Sequence, residues 1–441
     1  MMRSGEGNIR FGVRGRRAGG GTMEVRASLL ELALCVSEAA DLVDRHVVDH
    51  HRRVAYIAHR IAAQMGLSEA DRGRVTLAAA LHDIGALSLG ERLRALDFDV
   101  RLVEHAEPGY LLLRDFAPFA DIAPIVRTHH VEWADAPRHV REGVPVDELS
   151  HVLFVADRAS VLFDASAEPL GQRKRLLAEM REGAGRRFMP EAVTALARIG
   201  REESFWFDIV TLANRPGLLG VQDLAAAQQV TVDLGEFARM LARIVDFRSR
   251  YTASHSSGVA ASAGAIAEAL GISGDGADEV RVAGGLHDLG KLSVPVEVLE
   301  KPGKLDREES AVVRAHAFHT GRILSSVPAL ARVADWAGHH HERLDGSGYP
   351  DHLTASKLSQ GARIVAAADV FSALSEDRPY RQGMGLGRVL HTMDHMAHVR
   401  RLDAHVVNAV RDCAGDVSDA RREAAEAGRE AYELVAGAAV A

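Results

Sequence analysis

Two absences set the first limits on what this 441-residue chain can do. It contains only two cysteines, Cys35 and Cys413, which form no spacing motif, so neither a disulfide scaffold nor a cysteine-rich zinc site is expected. Both cysteines fall in apolar helical patterns, which predicts buried free thiols in a reducing cytoplasm. No apolar run reaches the length of a membrane span, so no association with a membrane is expected.

A strong charge of one sign is also lacking. The formal net charge is −8, which argues against a surface that coats nucleic acid. A small anionic substrate remains compatible with this charge, because a local cationic pocket does not require a basic protein.

Alternating, strand-like runs are scarce, whereas apolar residues recur at helical spacing through most of the chain. The predicted fold is therefore all-α, and the length favours two domains. The breaker residues Asn214 to Gly217 place the boundary between there and about residue 235. The predicted segments are an N-terminal tail (1–23), a first domain (24–215), a linker (216–234), a second domain (235–415) and a C-terminal helix (416–441). The tail is predicted to be disordered, or else not to belong to the native protein, in which case Met23 is the true start.

Histidines and aspartates recur in the same order in the two halves of the chain. The matching pairs are His50 and His255, His82 and His287, Asp83 and Asp288, His105 and His316, His129 and His340, His130 and His341, and Asp157 and Asp369. The offset is 287 − 82 = 205 residues for the first three pairs, 316 − 105 = 211 for the next three and 369 − 157 = 212 for the last. Conserved order and spacing indicate an internal duplication, and thus two tandem helical bundles.

The second-half members of these pairs form a candidate metal site. They supply five imidazoles and two carboxylates, and helices that pack antiparallel can bring these side chains to one point. Seven nitrogen and oxygen ligands exceed the need of one ion, so two divalent metals are predicted, with Fe or Mn favoured and Zn left open. Two such metals generate a hydroxide that attacks phosphorus in line.

Residues 339–350 read HHHERLDGSGYP and resemble the HHExxDGxGYP signature of the HD-GYP family of metal-dependent phosphodiesterases at every fixed position. The resemblance covers residues 235–415 and implies the same seven ligands, with Asp288 bridging two metals and His339 outside the set. Some members carry a glutamate one turn before the first ligand and hold a third metal. Tyr251 stands at that position in this sequence, which favours a centre with two metals. The implied reaction is hydrolysis of cyclic di-GMP by a metal-bridged hydroxide.

Further residues are predicted to face this substrate. Lys291, one turn beyond the His-Asp pair, is a point charge that can reach the scissile phosphate, and it counts with Asp288 as catalytic. Arg378 and Arg381 flank a proline-fixed turn that can hold a second phosphate, although a charged helix start is the alternative. The remaining predicted substrate residues belong to the glycine-rich loop: Asp345, Gly346, Gly348 and Tyr349.

The first half resembles an HD-superfamily domain that keeps a full ligand set but lacks the substrate residues. Ala86 stands at the position of Lys291, residues 131–137 replace the glycine-rich loop, and the arginine pair is absent. Two hypotheses remain open: a second metal centre with a different or lost substrate, or a scaffold that packs on or regulates the second half.

Three functions remain open for the whole chain. The first is a cytoplasmic cyclic-dinucleotide phosphodiesterase, the second a phosphohydrolase of another nucleotide or phosphoester, and the third a catalytically silent receptor of the dinucleotide. Association into a homodimer is also left open.

Overall fold

The computed structural model describes residues 23–42, 49–86, 105–138, 140–141, 144–211, 229–247, 254–301, 303–377 and 382–440. Helices dominate these ranges, which confirms the all-α prediction. The first-half helices are α1 (Leu29–Asp41), α2 (His50–Met65), α3 (Glu69–Leu81), α4 (Ala106–Leu113), α5 (Ala123–Thr128), α6 (Glu148–Leu162), α7 (Pro169–Glu182), α8 (Pro190–Ile199) and α9 (Glu203–Thr211). The second-half helices are α10 (Leu234–Phe247), α11 (His255–Ala269), α12 (Asp275–Leu286), α13 (Val296–Leu299), α14 (Arg307–Leu324), α15 (Ala331–Gly338), α16 (Gln360–Ser375), α17 (Leu386–His398), α18 (Ala404–Asp412) and α19 (Ala414–Val440). Short 3₁₀ helices span Ala117–Phe119, Ala136–Arg138, Leu289–Ser293 and Pro328–Leu330.

Local sequence explains where several helices begin and end. Asp306 and Glu309 form a capping box at the start of α14, each side chain accepting a backbone N–H of the other. Gly66 ends α2 with φ of 78°, in the left-handed region that glycine adopts without a steric cost, and Gly271 follows α11 in the same conformation.

Four short strands accompany the helices in the part of the chain that the structure describes. The strand β1 (Glu24–Ser28) pairs antiparallel with β4 (Gln229–Asp233), and β2 (Val140–Arg141) pairs with β3 (Val144–Pro145). β1 and β4 are equivalent segments of the two halves, because 229 − 24 = 205. The sequence had suggested that residues 216–234 are a linker. Residues 229–233 instead form a strand that belongs to the second-half repeat. Five residues are too few to signal a strand when the partner strand lies in the other half of the chain.

The two halves share a packed interface around these strands. Helix α1 packs on α2 and α3 of its own half and also on α14 and the 3₁₀ helix Leu289–Ser293 of the second half. The Cys35 thiol is buried there and lies 3.7 Å from the carbonyl oxygen of Ile323. Cys413, at the end of α18, is only partly buried, so the prediction of two buried thiols is wrong for this one.

Within each half, one central helix carries the first candidate ligand at its start. Helix α2 packs against α3, α6 and α8, and α11 packs against α12, α16 and the long C-terminal helix α19. This arrangement places His50 and His255 inside their bundles. In the described ranges, no helix is both long enough and apolar enough to cross a membrane.

Candidate metal centres

The structure brings all seven second-half candidates together from five helices. The positions are His255 at the start of α11, His287 and Asp288 at the end of α12, His316 inside α14, His340 and His341 in the turn after α15, and Asp369 inside α16. The sequence predicted every ligand on a helix. The adjacent ligands His287 and Asp288 instead lie just past the end of one helix, and His340 and His341 lie just past the end of another. In such a turn, neighbouring side chains can face the same point.

Asp288 lies between two groups of imidazoles. Its Oδ2 is 3.2 Å from Nε2 of His287 and 3.7 Å from Nε2 of His255. Its Oδ1 is 3.5 Å from Nε2 of His316, on the other side. The two oxygens of one carboxylate therefore serve two separate clusters.

The remaining candidates complete these two clusters. His340 joins the second one, with its Nε2 3.3 Å from Nε2 of His316, and His341 packs against His340 with ring centroids 4.0 Å apart. Asp369 places Oδ1 3.4 Å from Nε2 of His255 and Oδ2 3.9 Å from Nδ1 of His341.

Backbone carbonyls fix the orientation of three of the rings. Nδ1 of His287 lies 2.7 Å from the carbonyl oxygen of Gly284, three residues earlier. His316 and His340 make the same contact with the carbonyls three residues before them, at 2.5 and 2.6 Å. A protonated Nδ1 leaves the lone pair of Nε2 directed into the cluster, which is the form that binds a metal.

The pKa shifts of most of these residues agree with this arrangement. The exception is His255: burial lowers its pKa, but the Glu376 carboxylate outweighs burial and raises the pKa to about 10, so a cation at this ring must displace a proton. Burial lowers the pKa of His316 to about 4 and that of His341 to about 3, so both imidazoles are neutral at pH 7. Burial raises the pKa of the Asp288 carboxyl, but the charges of His287 and Lys291 outweigh it and hold that pKa well below its usual range. Neutral imidazoles and ionised carboxylates are the ligand forms that divalent cations require.

The donor spacing fits two metal ions. Ions with bonds of about 2.0–2.2 Å need donor atoms roughly 3.0–3.5 Å apart. Four of the spacings within the two clusters lie between 3.2 and 3.5 Å, and the other two, 3.7 and 3.9 Å, would have to close by a few tenths of an ångström around an ion. One ion would be held by His255, His287 and Asp369, the other by His316, His340 and His341, with Asp288 between them.

The first half repeats this geometry. Oδ2 of Asp83 lies 3.2 Å from Nε2 of His82, and its Oδ1 lies 2.9 Å from Nε2 of His105. His50, His129, His130 and Asp157 complete the two first-half clusters. The Nε2 atoms of His50 and His82 are buried and form no hydrogen bond with any described residue, although Oδ1 of Asp157 and Oδ2 of Asp83 lie 3.3 and 3.2 Å away.

The first half differs at its last aspartate. Arg158 donates from Nε and from its second terminal nitrogen to Oδ2 of Asp157, at 3.0 and 2.7 Å, and the guanidinium is buried. The second half has Val370 at the corresponding position after Asp369. The first-half site thus holds a cation against its last aspartate, whereas the second-half site holds one, Lys291, against Asp288.

Comparison with known proteins identifies this arrangement. HD-domain models match residues 47–162 and residues 238–406. The chain is 29% identical over 408 residues to the 3′3′-cGAMP-specific phosphodiesterase 1 of Vibrio cholerae, covering 88% of this chain and 92% of that protein. A stretch of 169 residues is 39% identical to a cyclic di-GMP phosphodiesterase response regulator of Xanthomonas campestris, covering 38% of this chain and 45% of the relative.

The chain belongs to the HD-domain family. Each half is one HD domain, and the second is of the HD-GYP type that the sequence suggested. A crystal structure of a cyclic GMP-AMP-specific phosphodiesterase of V. cholerae has the same fold, with a TM-score of 0.62 over 89% of this chain and 98% of that one at 24% identity.

A glycine after the His-Asp pair is required in both HD domains. A Cβ atom on Gly290 would overlap the carbonyl oxygen of His316, and one on Gly85 would overlap that of His105. The backbone after each pair therefore touches the segment that carries the next ligand. In the second domain, Thr320 strengthens this contact by donating its hydroxyl to the carbonyl of His287 at 3.0 Å.

The glycine-rich loop of the second HD domain packs against the ligands. The Tyr349 ring lies 4.8 Å from the His341 ring, and the guanidinium carbon of Arg314 lies 4.2 Å from the centre of the Tyr349 ring. Gly346 has φ of 79°, and a Cβ on Gly348 would overlap the backbone of Glu342 and Arg343. These two glycines let the loop fold back so that its aromatic ring covers a candidate ligand.

Glu342 and His339 hold this loop and are not ligands. The buried Glu342 carboxylate accepts the backbone N–H groups of Asp351 at 2.6 Å and Leu353 at 3.0 Å. His339 lies between the carboxylates of Asp335 and Asp351, at 3.0 and 3.1 Å, so its ring faces away from the clusters.

Other predicted substrate residues divide into two groups. Lys291 reaches the clusters, since its Nζ lies 2.6 Å from Oδ2 of Asp288. Asp345 is exposed and accepts hydrogen bonds from the backbone N–H and hydroxyl of Ser347, which shapes the turn. Arg378 and Arg381 lie outside the described residues, as does Tyr251 at the position of a third-metal ligand.

The sequence reading missed contacts that depend on distant elements. Glu376, at the end of α16, lies 2.9 Å from Nδ1 of His255. Arg314 covers Tyr349 from another helix, and Arg158 binds Asp157. Only Arg158 had a signal in the sequence, since it directly follows a predicted ligand.

Proposed function

We propose that the protein is a metal-dependent phosphodiesterase that hydrolyses a cyclic dinucleotide at the metal centre of its second HD domain. The observation that carries this proposal is the position of Asp288, whose two oxygens face two separate groups of imidazoles. A carboxylate in this position can bridge two ions. Membership of the HD family and the whole-length relative support the broader class, a phosphodiesterase.

The chain's own residues bind and orient the substrate in this proposal. Two divalent ions, when bound, would lower the pKa of water toward neutrality and offset charge on the phosphoryl oxygens. Lys291 lies beside the ligands and would hold a phosphate oxygen by charge. The Tyr349 ring offers an aromatic surface for a purine base, and Arg314 adds a cation beside it. Attack by water requires no protein nucleophile.

Two contrasts favour the second domain over the first as the active one. The residue that corresponds to Lys291 is the buried Ala86, which offers no charge to a phosphate. Both sites contain a cation paired with an aspartate, but the Arg158 side chain is only 3% exposed whereas that of Lys291 is 22% exposed, so Lys291 is the more accessible to a substrate. The first site is thus suited to hold metal without the groups that would hold a phosphodiester.

The relatives refine the substrate. Cyclic di-GMP was the substrate that the sequence motif implied, and a relative with that activity in its name aligns with only 38% of this chain. Two relatives that align with 88% and 84% of this chain are named for 3′3′-cGAMP. We therefore propose 3′3′-cGAMP as the first candidate and cyclic di-GMP as the second.

The test is turnover by the purified full chain with Mn²⁺ or Fe²⁺ and a panel of cyclic dinucleotides. Linear dinucleotide is the expected product. His287→Ala and Asp288→Ala should abolish it, whereas the matched first-domain variant His82→Ala should keep most of it. Loss of turnover in His82→Ala alone would move the active site to the first half.

The two alternatives give different results in the same assay. A silent receptor would bind 3′3′-cGAMP or cyclic di-GMP in equilibrium dialysis without forming product. A phosphohydrolase of another class would leave every cyclic dinucleotide intact and cleave a nucleotide or a simple phosphodiester under the same conditions.

A further inference from the structure

A buried carboxylate and a guanidinium lie behind the first ligand of the second domain. Nδ1 of His255 is 2.9 Å from Oε2 and 3.2 Å from Oε1 of Glu376. A terminal nitrogen of Arg421 lies 4.0 Å from Oε1 of Glu376. The three side chains come from α11, the end of α16 and the C-terminal helix α19, and they are 6%, 13% and 14% exposed.

The space for this contact is built into α11. Gly258 lies one turn after His255, and a Cβ atom there would be 3.2 Å from Cγ of Arg421 and 3.7 Å from Oε1 of Glu376. An added Cβ would crowd the Arg421 side chain and stay in ordinary contact with Glu376. Because α19 packs along the length of α11, it brings Arg421 to this point.

The orientation of His255 matches that of a metal ligand with an outer partner. Its Nε2 faces Asp369 at 3.4 Å and Asp288 at 3.7 Å, while its Nδ1 faces Glu376. A carboxylate that accepts the Nδ1 hydrogen fixes the tautomer, orients the ring and makes Nε2 a stronger donor to a cation.

The first domain lacks this partner. Nδ1 of His50 faces the neutral hydroxyl of Ser160 at 3.2 Å. Asp164 corresponds to Glu376, since 376 − 164 = 212, but it is exposed and accepts hydrogen bonds from Ser166. Among the residues that the structure describes, the anionic partner therefore belongs to the second-domain site.

We propose that Glu376, backed by Arg421, is a positioning residue that orients His255 and strengthens its hold on a divalent cation. The C-terminal helix is then part of the metal centre, although it contributes no ligand. This inference rests on the proposed function, since it takes His255 to be a ligand.

Equilibrium dialysis of the full chain against Mn²⁺ tests the inference. All the variants lie in the second half, so any Mn²⁺ bound by the first domain should be the same in each of them. Glu376→Gln keeps the shape and removes the charge, and should weaken one class of bound Mn²⁺ about 10- to 100-fold. Glu376→Asp restores the charge and should bind more tightly than Glu376→Gln. Arg421→Ala should cause a smaller loss, and its exposed neighbour Arg422→Ala should cause none.

The outcomes separate this inference from the proposed function. Unchanged Mn²⁺ affinity in Glu376→Gln overturns the inference, as does a lower melting temperature without weaker Mn²⁺ binding, which would give Glu376 a structural role alone. Unchanged Mn²⁺ binding in His255→Ala would instead remove the ligand assignment and with it the proposed two-metal centre.

Discussion

Nζ of Lys291 lies 2.6 Å from Oδ2 of Asp288, so the one cationic side chain that follows the His-Asp pair points into the ligand cluster. A three-residue separation on a 3₁₀ turn produces this contact. Ala86 occupies the equivalent position in the first domain. The contact therefore marks a chemical difference between two sites that have the same ligands.

Lys291→Ala should remove catalysis and leave metal in place. Loss of a charge that faces the reacting phosphate typically lowers kcat by about 10²- to 10³-fold. Bound Mn²⁺, measured by elemental analysis, should stay at the wild-type number. Lys301→Ala is the control, because Lys301 pairs with Glu309 at the protein surface, and it should retain full activity. Loss of metal in Lys291→Ala would assign Lys291 to the metal centre itself.

Gly290→Ala and Gly85→Ala form a matched pair. Each added Cβ would overlap a carbonyl of the segment that carries the third histidine, so each variant should displace the ligands of its own domain. Only Gly290→Ala should abolish phosphodiesterase turnover, since only the second domain carries the substrate residues. Equal loss of turnover in both variants would mean that the second site depends on an intact first one.

Metal removal should lower the stability of the chain. An ion that binds only the folded state stabilises it by about 2.7 kcal/mol at 100 times its dissociation constant. Dialysis against EDTA should therefore lower the melting temperature, and Mn²⁺ should restore it. The shift should be smaller in Asp288→Asn and unchanged in Lys291→Ala. A wild-type melting temperature insensitive to both EDTA and Mn²⁺ would contradict the two-metal proposal.

Asp403 should make stability depend on pH. Burial raises the pKa of its carboxyl, but the hydrogen bond from Arg363 and the N–H groups at the start of α18 outweigh burial and lower that pKa below 3.8. A lowered native pKa means that the stabilisation is complete above the unfolded value and is lost as the pH falls through the native one. Asp403→Asn should lower the free energy of unfolding by about 1–3 kcal/mol at pH 7.

Urea unfolding at several pH values checks this prediction. The difference between wild type and Asp403→Asn should be constant from pH 5 to about 8 and shrink below about pH 4. Asp419→Asn, in an exposed pair with Arg422, should differ little from wild type throughout. A difference for Asp403→Asn that persists at low pH would point to packing and not to charge.

The two cysteines should react with a thiol reagent at different rates. Burial raises the pKa of the Cys35 thiol to about 12, so almost no thiolate exists at pH 8, and the side chain is inaccessible between the halves. Native protein should therefore label at the partly exposed Cys413 first. In Cys413→Ser, labelling should require unfolding, and rapid native labelling would show that the interface around α1 opens.

Much of the site could be predicted from the sequence because its ligands follow local rules. His287 and Asp288 are adjacent, and so are His340 and His341, so each pair keeps its relation to its own helix end wherever that helix packs. The duplication then identified the ligands that have no adjacent partner, such as His255, because each lies at the same position in both halves of the chain. The strand β4 could not be predicted, because it exists only through pairing with β1.

By itself, the sequence determined the all-α fold, the duplication and the residues able to bind metal, since these depend on periodicity and spacing along the chain. Only the tertiary structure decided how those residues are used. It turned the two oxygens of Asp288 to separate clusters, placed Arg158 on Asp157, and brought Glu376 to His255 across 121 residues. The reason is physical: a ligand's identity is set by its own side chain, whereas its partner is set by which helices pack together.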